Sequence, residues 1–263
     1  MAVRFYQKYG FVKVSEKEKE SFMKFASLVV FSILFAVPVF SAEFEKDIIK
    51  TSAGDVEITF IGHASLIIGF KGKVIHVDSW GKFADYSAFP KADIVILTHH
   101  HPDHLDSDVI KTISKSGTIV VLTDECSKKV SGEVMKNGDT KNLQDILIEA
   151  VPAYNLVHKR DNGQPFHPKG EGNGYILTFG TTRVYIAGDT ENTVEMKALK
   201  NIDVAFLPMN LPYTMTPAMV ADAAKAFKPK VLYPYHYGET DTQELVRLMK
   251  DEKDIDLRIR KMK

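Results

Sequence analysis

Between Thr98 and Asp106 the chain reads Thr-His-His-His-Pro-Asp-His-Leu-Asp, so four imidazoles and two carboxylates fall within nine residues. This stretch constrains the fold more than any other, because such side chains repel one another or face water unless something holds them together. A neutral imidazole nitrogen and a carboxylate oxygen are the donors that zinc, manganese and iron(II) accept. The run before it, Ala92-Asp93-Ile94-Val95-Ile96-Leu97, reads as a short buried strand. It delivers the histidines at its C-terminal end, where open α/β sheets place their chemistry. His99 and His101 would project to one side of an extended segment, and Asp103 and His104 would face a second ion once Pro102 has turned the chain. An accidental histidine tag would carry neither Pro102, Asp103 and Asp106 at these places nor a core strand before them.

A chain of 263 residues with 44% hydrophobic content can bury a full core, and without its N-terminus it has the size of one large domain. The formal net charge is zero and no Lys/Arg-rich run is present, which gives no support to a nucleic-acid partner. The single cysteine, Cys126, is expected to be a buried structural thiol on a helix after a strand at 118–122. Residues 25–42 are uncharged and apolar, follow Met23-Lys24, and end in Val39-Phe40-Ser41-Ala42. That is the layout of a secretory signal peptide read from Met23, with cleavage near Ala42. Residues 1–22 are then an upstream extension, 23–42 a signal peptide, and 43–263 the mature domain, periplasmic or secreted. The alternative is an uncleaved anchor holding the domain at the outer face of the membrane.

Alternating or apolar runs at 55–61, 65–70 and 74–77 predict an antiparallel opening, after which strands alternate with helices. Strands are expected at 94–97, 118–122, 143–151, 174–188 (a hairpin), 203–208 and 230–234. Helices are expected at 107–115, from about 124, at 217–227 with Thr216 as N-cap and Pro217 at the first position, and from about 241. In the last, Glu244 would close a capping box and Leu245, Leu248 and Met249 would form the buried stripe. Two successive sheet-then-helix halves imply an α/β protein of the αββα sandwich type. Neither an internal repeat nor a linker divides 56–263.

The pattern H-x-H-x-D-H formed by His99, His101, Asp103 and His104 resembles the signature of the metallo-β-lactamase superfamily. Gly62-His63-Ala64-Ser65, Gly188-Asp189-Thr190 and Pro234-Tyr235-His236-Tyr237 extend the resemblance from about residue 56 to the C-terminus. They are most similar to the branch of L-ascorbate-6-phosphate lactonases and N-acyl-phosphatidylethanolamine phospholipase D enzymes. The resemblance implies the same αββα fold and two divalent ions, zinc first and manganese or iron as alternatives. It places His99 and His101 on the first ion, Asp103, His104 and His236 on the second, and Asp189 between them. The implied activity is hydrolysis of an ester, lactone, amide or phosphodiester in a small-molecule or lipid-like substrate. Asp103 would orient the attacking hydroxide, His63 would bind substrate or supply a proton, and Asp78 would orient a ligand histidine.

One position departs from the pattern. Asn155 stands where the family has a histidine on the first metal, and an amide oxygen is a poor donor beside imidazole. His167, flanked by the glycine-rich stretch 170–174, is the expected substitute ahead of His158, and Asn155→His would be expected to strengthen the first site. A non-catalytic metal-binding or interaction module follows only if Asn155 abolishes that site. A flavodiiron-type reductase shares the fold but uses a carboxylate where His101 stands and needs a flavin domain for which no chain remains. Substrate contacts are expected from Lys159, Arg160 and Lys169 for a phosphate, or from Leu211, Pro212, Tyr213 and Met215 for a lipid.

Overall fold

In the computed structural model, which describes residues 44–263, the antiparallel opening gains one strand at its edge. Strands β1 (Lys46–Thr51), β2 (Gly54–Gly62), β3 (Ser65–Phe70) and β4 (Lys73–Val77) run antiparallel in order. From β4 the sheet continues in parallel through β5 (Ile94–Ile96), β6 (Ile119–Leu122) and β7 (Glu133–Val134). The second sheet repeats the plan. Its strands β8 (Thr140–Leu143), β9 (Ile146–Ala153), β10 (Gly172–Phe179) and β11 (Thr182–Ile186) are antiparallel. Then β12 (Val204–Pro208), β13 (Val231–Tyr235) and β14 (Asp256–Leu257) add in parallel, so each sheet has seven strands. The expected extension 1–22 and targeting segment 23–42 lie outside the described residues.

Apolar burial explains the layering. Between the sheets lie Phe60, Tyr233 and Phe206, with Phe206 stacked on Tyr233 at 4.9 Å between ring centroids. Each such buried aromatic contributes about 1.5–3 kcal/mol. On one outer face Val109, Ile110 and Ile113 of α1 (Ser107–Ile113) and Cys126 of the single-turn α2 (Asp124–Ser127) cover Val95 and Leu97. On the other, α3 (Val194–Lys197), α4 (Pro217–Phe227) and α5 (Thr242–Met249) cover Tyr185, Ala205 and Leu207. This is the expected αββα sandwich. Helix α4 starts as its sequence dictates: the Thr216 side chain accepts from the Met219 amide at 3.1 Å and Pro217 needs no partner at the first position.

Three local expectations give way. Helix α1 stops at Ile113 rather than 115, because Ser114 leaves helical space while its hydroxyl bonds back to the Ile110 carbonyl at 2.6 Å. In α5 the Asp241 carboxylate takes the Gln243 amide, and Glu244 meets Asp241 only through its backbone amide, so the capping box is not closed. Leu248 is 37% exposed, leaving Leu245 and Met249 as the buried stripe.

Strand β1 is hidden in the sequence by its charges, and one of them anchors it. The Asp47 carboxylate meets Arg260 Nη2 at 2.8 Å and Arg258 Nη1 at 3.2 Å and accepts the Tyr233 hydroxyl, tying the first strand to the chain's end. Burial alone would raise the Asp47 pKa, but the Tyr233, Arg260 and Arg258 contacts hold it below the usual carboxylate value. Its stabilisation is therefore complete above the unfolded value of about 3.9 and is lost as pH falls through the lower folded value. Asp47→Ala should cost about 2–3 kcal/mol in urea unfolding near neutral pH, since it strands two half-buried guanidinium groups. The difference from wild type should shrink in acid; a gap undiminished at about pH 2, well below the unfolded value of about 3.9, would contradict this.

Candidate metal centre

The parallel strands of both sheets end on one rim, and the side chains that the sequence motifs single out leave from those ends. β4 gives Asp78, β5 the loop from Thr98 to Leu105, β11 Asp189, β12 Asn210 and β13 His236. His63 follows β2, and its backbone carbonyl accepts the His236 amide at 2.9 Å, joining the two sheets across the site. His63, Asp78 and His236 have φ values of 55°, 42° and 46°. Left-handed backbone at a non-glycine residue is costly and clusters where function demands it. Gly188, at φ 65°, lets Asp189 approach the other sheet, since a Cβ there would lie 2.9 Å from both the Thr98 Cβ and the Asn173 carbonyl oxygen.

The donors gather in two groups joined by one carboxylate. His99, His101 and His167 bring ligand-capable atoms within 4.8 Å of one another, and so do His63, Asp103, His104 and His236. Asp189 lies between them, its oxygens 3.2 Å from His167 Nε2, 3.4 Å from His104 Nε2, 3.5 Å from His236 Nε2 and 4.0 Å from His99 Nε2. Asp103 reaches His63 Nε2 at 3.0 Å, and His236 and His104 at 3.7 and 3.9 Å.

Four inward-facing atoms of this assembly, His99 Nε2, His104 Nε2, His236 Nε2 and Asp189 Oδ1, are buried and make no hydrogen bond among the described residues. Buried polar atoms normally find partners. A set of imidazole nitrogens and one carboxylate oxygen left over at the centre fits divalent metal ions by donor type. Two outer nitrogens are held by acceptors, His104 Nδ1 by Asp78 at 2.8 Å and His99 Nδ1 by the Thr98 hydroxyl at 3.1 Å, while His236 Nδ1 lies 3.2 Å from the Asn210 side-chain amide. Asp78 is itself fixed by the Thr98 amide and hydroxyl at 2.9 and 2.6 Å. Asp78 thus stands where a carboxylate orients a ligand histidine.

The position that departs from the pattern is explained by its contacts. Asn155 Nδ2 donates to Glu191 Oε1 at 3.0 Å and to the Tyr213 carbonyl at 2.9 Å, while its Oδ1 faces His167 Nδ1 at 2.6 Å and accepts the His167 amide at 3.0 Å. The amide is used up orienting His167, whose Nε2 turns inward to Asp189. Asn155 is therefore not placed as a ligand, and Asn155→His should not strengthen the first site, because an imidazole would break all four contacts. His158 is turned away, with Nδ1 on Glu191 Oε1 at 2.7 Å.

Glu191, fully buried, also accepts the backbone amides of Leu156, Val157 and His158 at 2.7–2.8 Å. Sequence reasoning misses it; its only signal there is that it lies two residues after Asp189. His100 stays out of both groups, and its carbonyl accepts from Lys129 Nζ.

Electrostatics follow from burial and neighbours. Burial and the imidazole of His104 push His99 well below its ordinary value, and burial with His167 nearby pushes His101 to about 4. Burial would lower His104 as well, but the Asp189 and Asp78 carboxylates raise it to about 9. Burial would raise Asp103 and Asp189, yet the surrounding imidazoles hold both carboxyls well below the usual range. Both carboxylates are thus anionic across the physiological range, as metal binding requires.

Above the donors opens a cleft of about 590 Å³ bounded by Trp80, Lys82, Arg160, Phe166, Asn210 and Tyr213. Of the cationic candidates only Arg160 reaches it. Lys169 pairs with Glu195 at 2.7 Å, and Lys159 is exposed on the loop that bridges to Pro165. Of the apolar candidates only Tyr213 lines it; Met215 is packed in the outer core and Leu211 faces solvent.

The chain is similar to known proteins over most of the described residues. The sequence profile of the beta-lactamase superfamily domain matches residues 57–236. A UPF0173 metal-dependent hydrolase from Koribacter versatilis is 31% identical over 199 residues, spanning 70% of this chain and 84% of its own. Among solved structures, a candidate metal-dependent hydrolase from Parabacteroides distasonis is similar at 50% identity and a TM-score of 0.80, covering 84% of this chain and all 100% of that one. The metallo hydrolase Igni18 from Ignicoccus hospitalis is similar at 26% identity and a TM-score of 0.64, covering 78% and 94%.

Proposed function

Because this chain belongs to the beta-lactamase superfamily, among its metal-dependent hydrolases, we propose that it cleaves an ester, lactone, amide or phosphodiester bond with two divalent ions, zinc first and manganese or iron as alternatives. The observation that carries this reading is the pair of donor groups sharing Asp189, with their inward atoms left without hydrogen bonds. His99, His101 and His167 would hold one ion, Asp103, His104 and His236 the other, and Asp189 both. Two ions so held acidify a water to a pKa of about 7 and polarise the oxygen under attack.

The chain's own groups do the rest. Asp103 receives the proton of the attacking water, and His63, hydrogen-bonded to it at 3.0 Å, fixes the carboxylate and shares that proton. The water oxygen bonds to carbon or phosphorus, and the leaving oxygen or nitrogen departs with the proton. Asn155 and Glu191 keep His167 aimed at the first ion. A non-catalytic module would need the first site to be lost, and His167 fills the place that Asn155 leaves.

Resemblance to the ascorbate-phosphate lactonase and phosphatidylethanolamine phospholipase branch supports a lactone or phosphodiester within this range. A panel of esters, lactones, phosphodiesters and N-acyl amides, assayed with zinc or manganese and after chelation, tests the reading. Turnover should depend on the metal, and turnover of the panel unchanged by chelation would overturn it. For residues 23–42 we propose a secretory signal, with the domain periplasmic or secreted. Mass spectrometry of the exported protein should find a start near Ala42, whereas an intact Met1 peptide would contradict export by this route.

A further inference from the structure

Among the described residues, the ring of Pro102 is the one aliphatic side chain that lines the cleft over the donor groups. Its walls are the rings of Trp80, Phe166 and Tyr213, and among the described residues its only charged groups outside the metal-binding set are Lys82 and Arg160. From this lining we infer that the substrate is a small anion built on a flat ring, with the ring held among Trp80, Phe166 and Tyr213 and its carboxylate or phosphate held by Lys82 and Arg160. The inference rests on the hydrolase reading and narrows its substrate.

The cations are placed rather than scattered. Lys82 Nζ lies 4.8 Å from the centroid of the Trp80 ring and 5.7 Å from that of Phe83, and Arg160 Cζ lies 5.2 Å from that of Phe166. Such contacts favour a cation at a ring face without neutralising it. Neither cation pairs with a carboxylate among the described residues; the Arg160 guanidinium donates only to the Phe166 carbonyl, at 3.3 Å. By contrast, Lys169, on the same stretch of chain, is neutralised by Glu195.

Both supporting loops are tied down. The Arg160 amide donates to the Gln164 carbonyl at 2.8 Å, and the Gly81 amide donates to Asp106 at 3.1 Å. Phe166 and Tyr213 meet edge to face at 5.1 Å, forming a corner that presents ring surface to the cleft. Stacking against such walls suits a planar body.

Size and chemistry both disfavour a lipid. A cleft of about 590 Å³ lies within the roughly 300–1,000 Å³ usual for small-molecule sites. An acyl chain would lie against rings, cations and the Asn210 amide, with Pro102 alone offering it aliphatic surface. The carboxylate or phosphate that the two cations select is the same chemistry from different sources, so both are tested.

Trp80 is the chain's single tryptophan, and its fluorescence reads the cleft directly. Metal-loaded protein would be titrated with phthalate, phenyl phosphate, the neutral ring benzamide and the aliphatic anion octanoate, and the same series run on Lys82→Met and Arg160→Met. Phthalate or phenyl phosphate should bind more tightly than benzamide and octanoate. Each substitution should weaken ring anions by about five- to tenfold and leave benzamide unchanged. Tightest binding by phthalate would assign a carboxylate, and by phenyl phosphate a phosphate.

Equal binding of ring anions and benzamide, preference for octanoate, ring anions unaffected by both substitutions, or no binding of either ring anion at millimolar concentration would overturn the inference. Ester turnover by the same preparation separates the two levels. A protein that hydrolyses esters without preferring ring anions contradicts the substrate class alone, and one that hydrolyses nothing contradicts the hydrolase reading.

Discussion

Asp189→Ala is expected to leave a folded protein that has lost tight metal binding and almost all turnover. Its carboxylate is the only one within 4.0 Å of imidazoles from both donor sets among the described residues, so under the two-ion proposal one substitution would remove a ligand from each ion. Losing an outer partner of a ligand costs roughly 10–100-fold in affinity or activity, and losing a shared ligand should exceed that. The sandwich core between the sheets does not involve Asp189, so its circular dichroism and unfolding temperature should stay near wild type. Metal analysis after dialysis together with turnover checks this; two ions retained at wild-type affinity would remove Asp189 from the bridging position.

The second large effect is at Asn155, where the direction of a hydrogen bond decides the outcome. Glu191 accepts from Asn155, and Asn155 in turn presents its oxygen to His167. Asn155→Asp sets two carboxylates against each other, and Glu191→Gln weakens the hold on the amides of residues 156–158. Each single change should lower first-site metal affinity about 10–100-fold. Combining them restores the bond between these two side chains with its polarity reversed: the new side-chain amide at position 191 donates to the new carboxylate at position 155, which still accepts from His167, while the bond to the Tyr213 carbonyl stays lost. The double variant should therefore bind metal more tightly than either single one, a non-additive result. The visible spectrum of the cobalt(II)-substituted protein reports the ligand geometry and should return toward wild type in the double variant. Additive losses in both readouts would mean that Glu191 acts on the loop alone and not through Asn155 on His167.

Strand β3 and helix α4 are legible in the sequence, because a short apolar run closed by the Lys71-Gly72 turn and a Thr-Pro start leave few alternatives. β1 escapes because Lys46, Asp47 and Lys50 obscure the alternation of an edge strand; the arginine that anchors it lies 213 positions away, beyond any local pattern. At the site, His99, His101, Asp103, His104, Asp189 and His236 can be named because each sits in a short motif at a strand end, and the fold brings all six together.

His167 is legible only as one of two loop histidines. The choice between them rests on Asn155 and Glu191, whose hydrogen bonds exist only once the loops after β9 and β11 are packed side by side. The aromatic and cationic cleft is largely illegible for the same reason. Trp80, Phe166 and Tyr213 come from three separate loops, and the apolar run around Tyr213 points equally to Met215, which the fold sends into its core.

Under the proposed function two ions sit side by side, joined by Asp189, with His167 completing the first site. Anomalous diffraction from crystals of the zinc-loaded protein measures this most directly. The expected result is two peaks, one among His99, His101 and His167 and one among Asp103, His104 and His236, with an Asp189 oxygen on each. A single peak, or a first ion bound by Asn155 with His167 turned away, would contradict it.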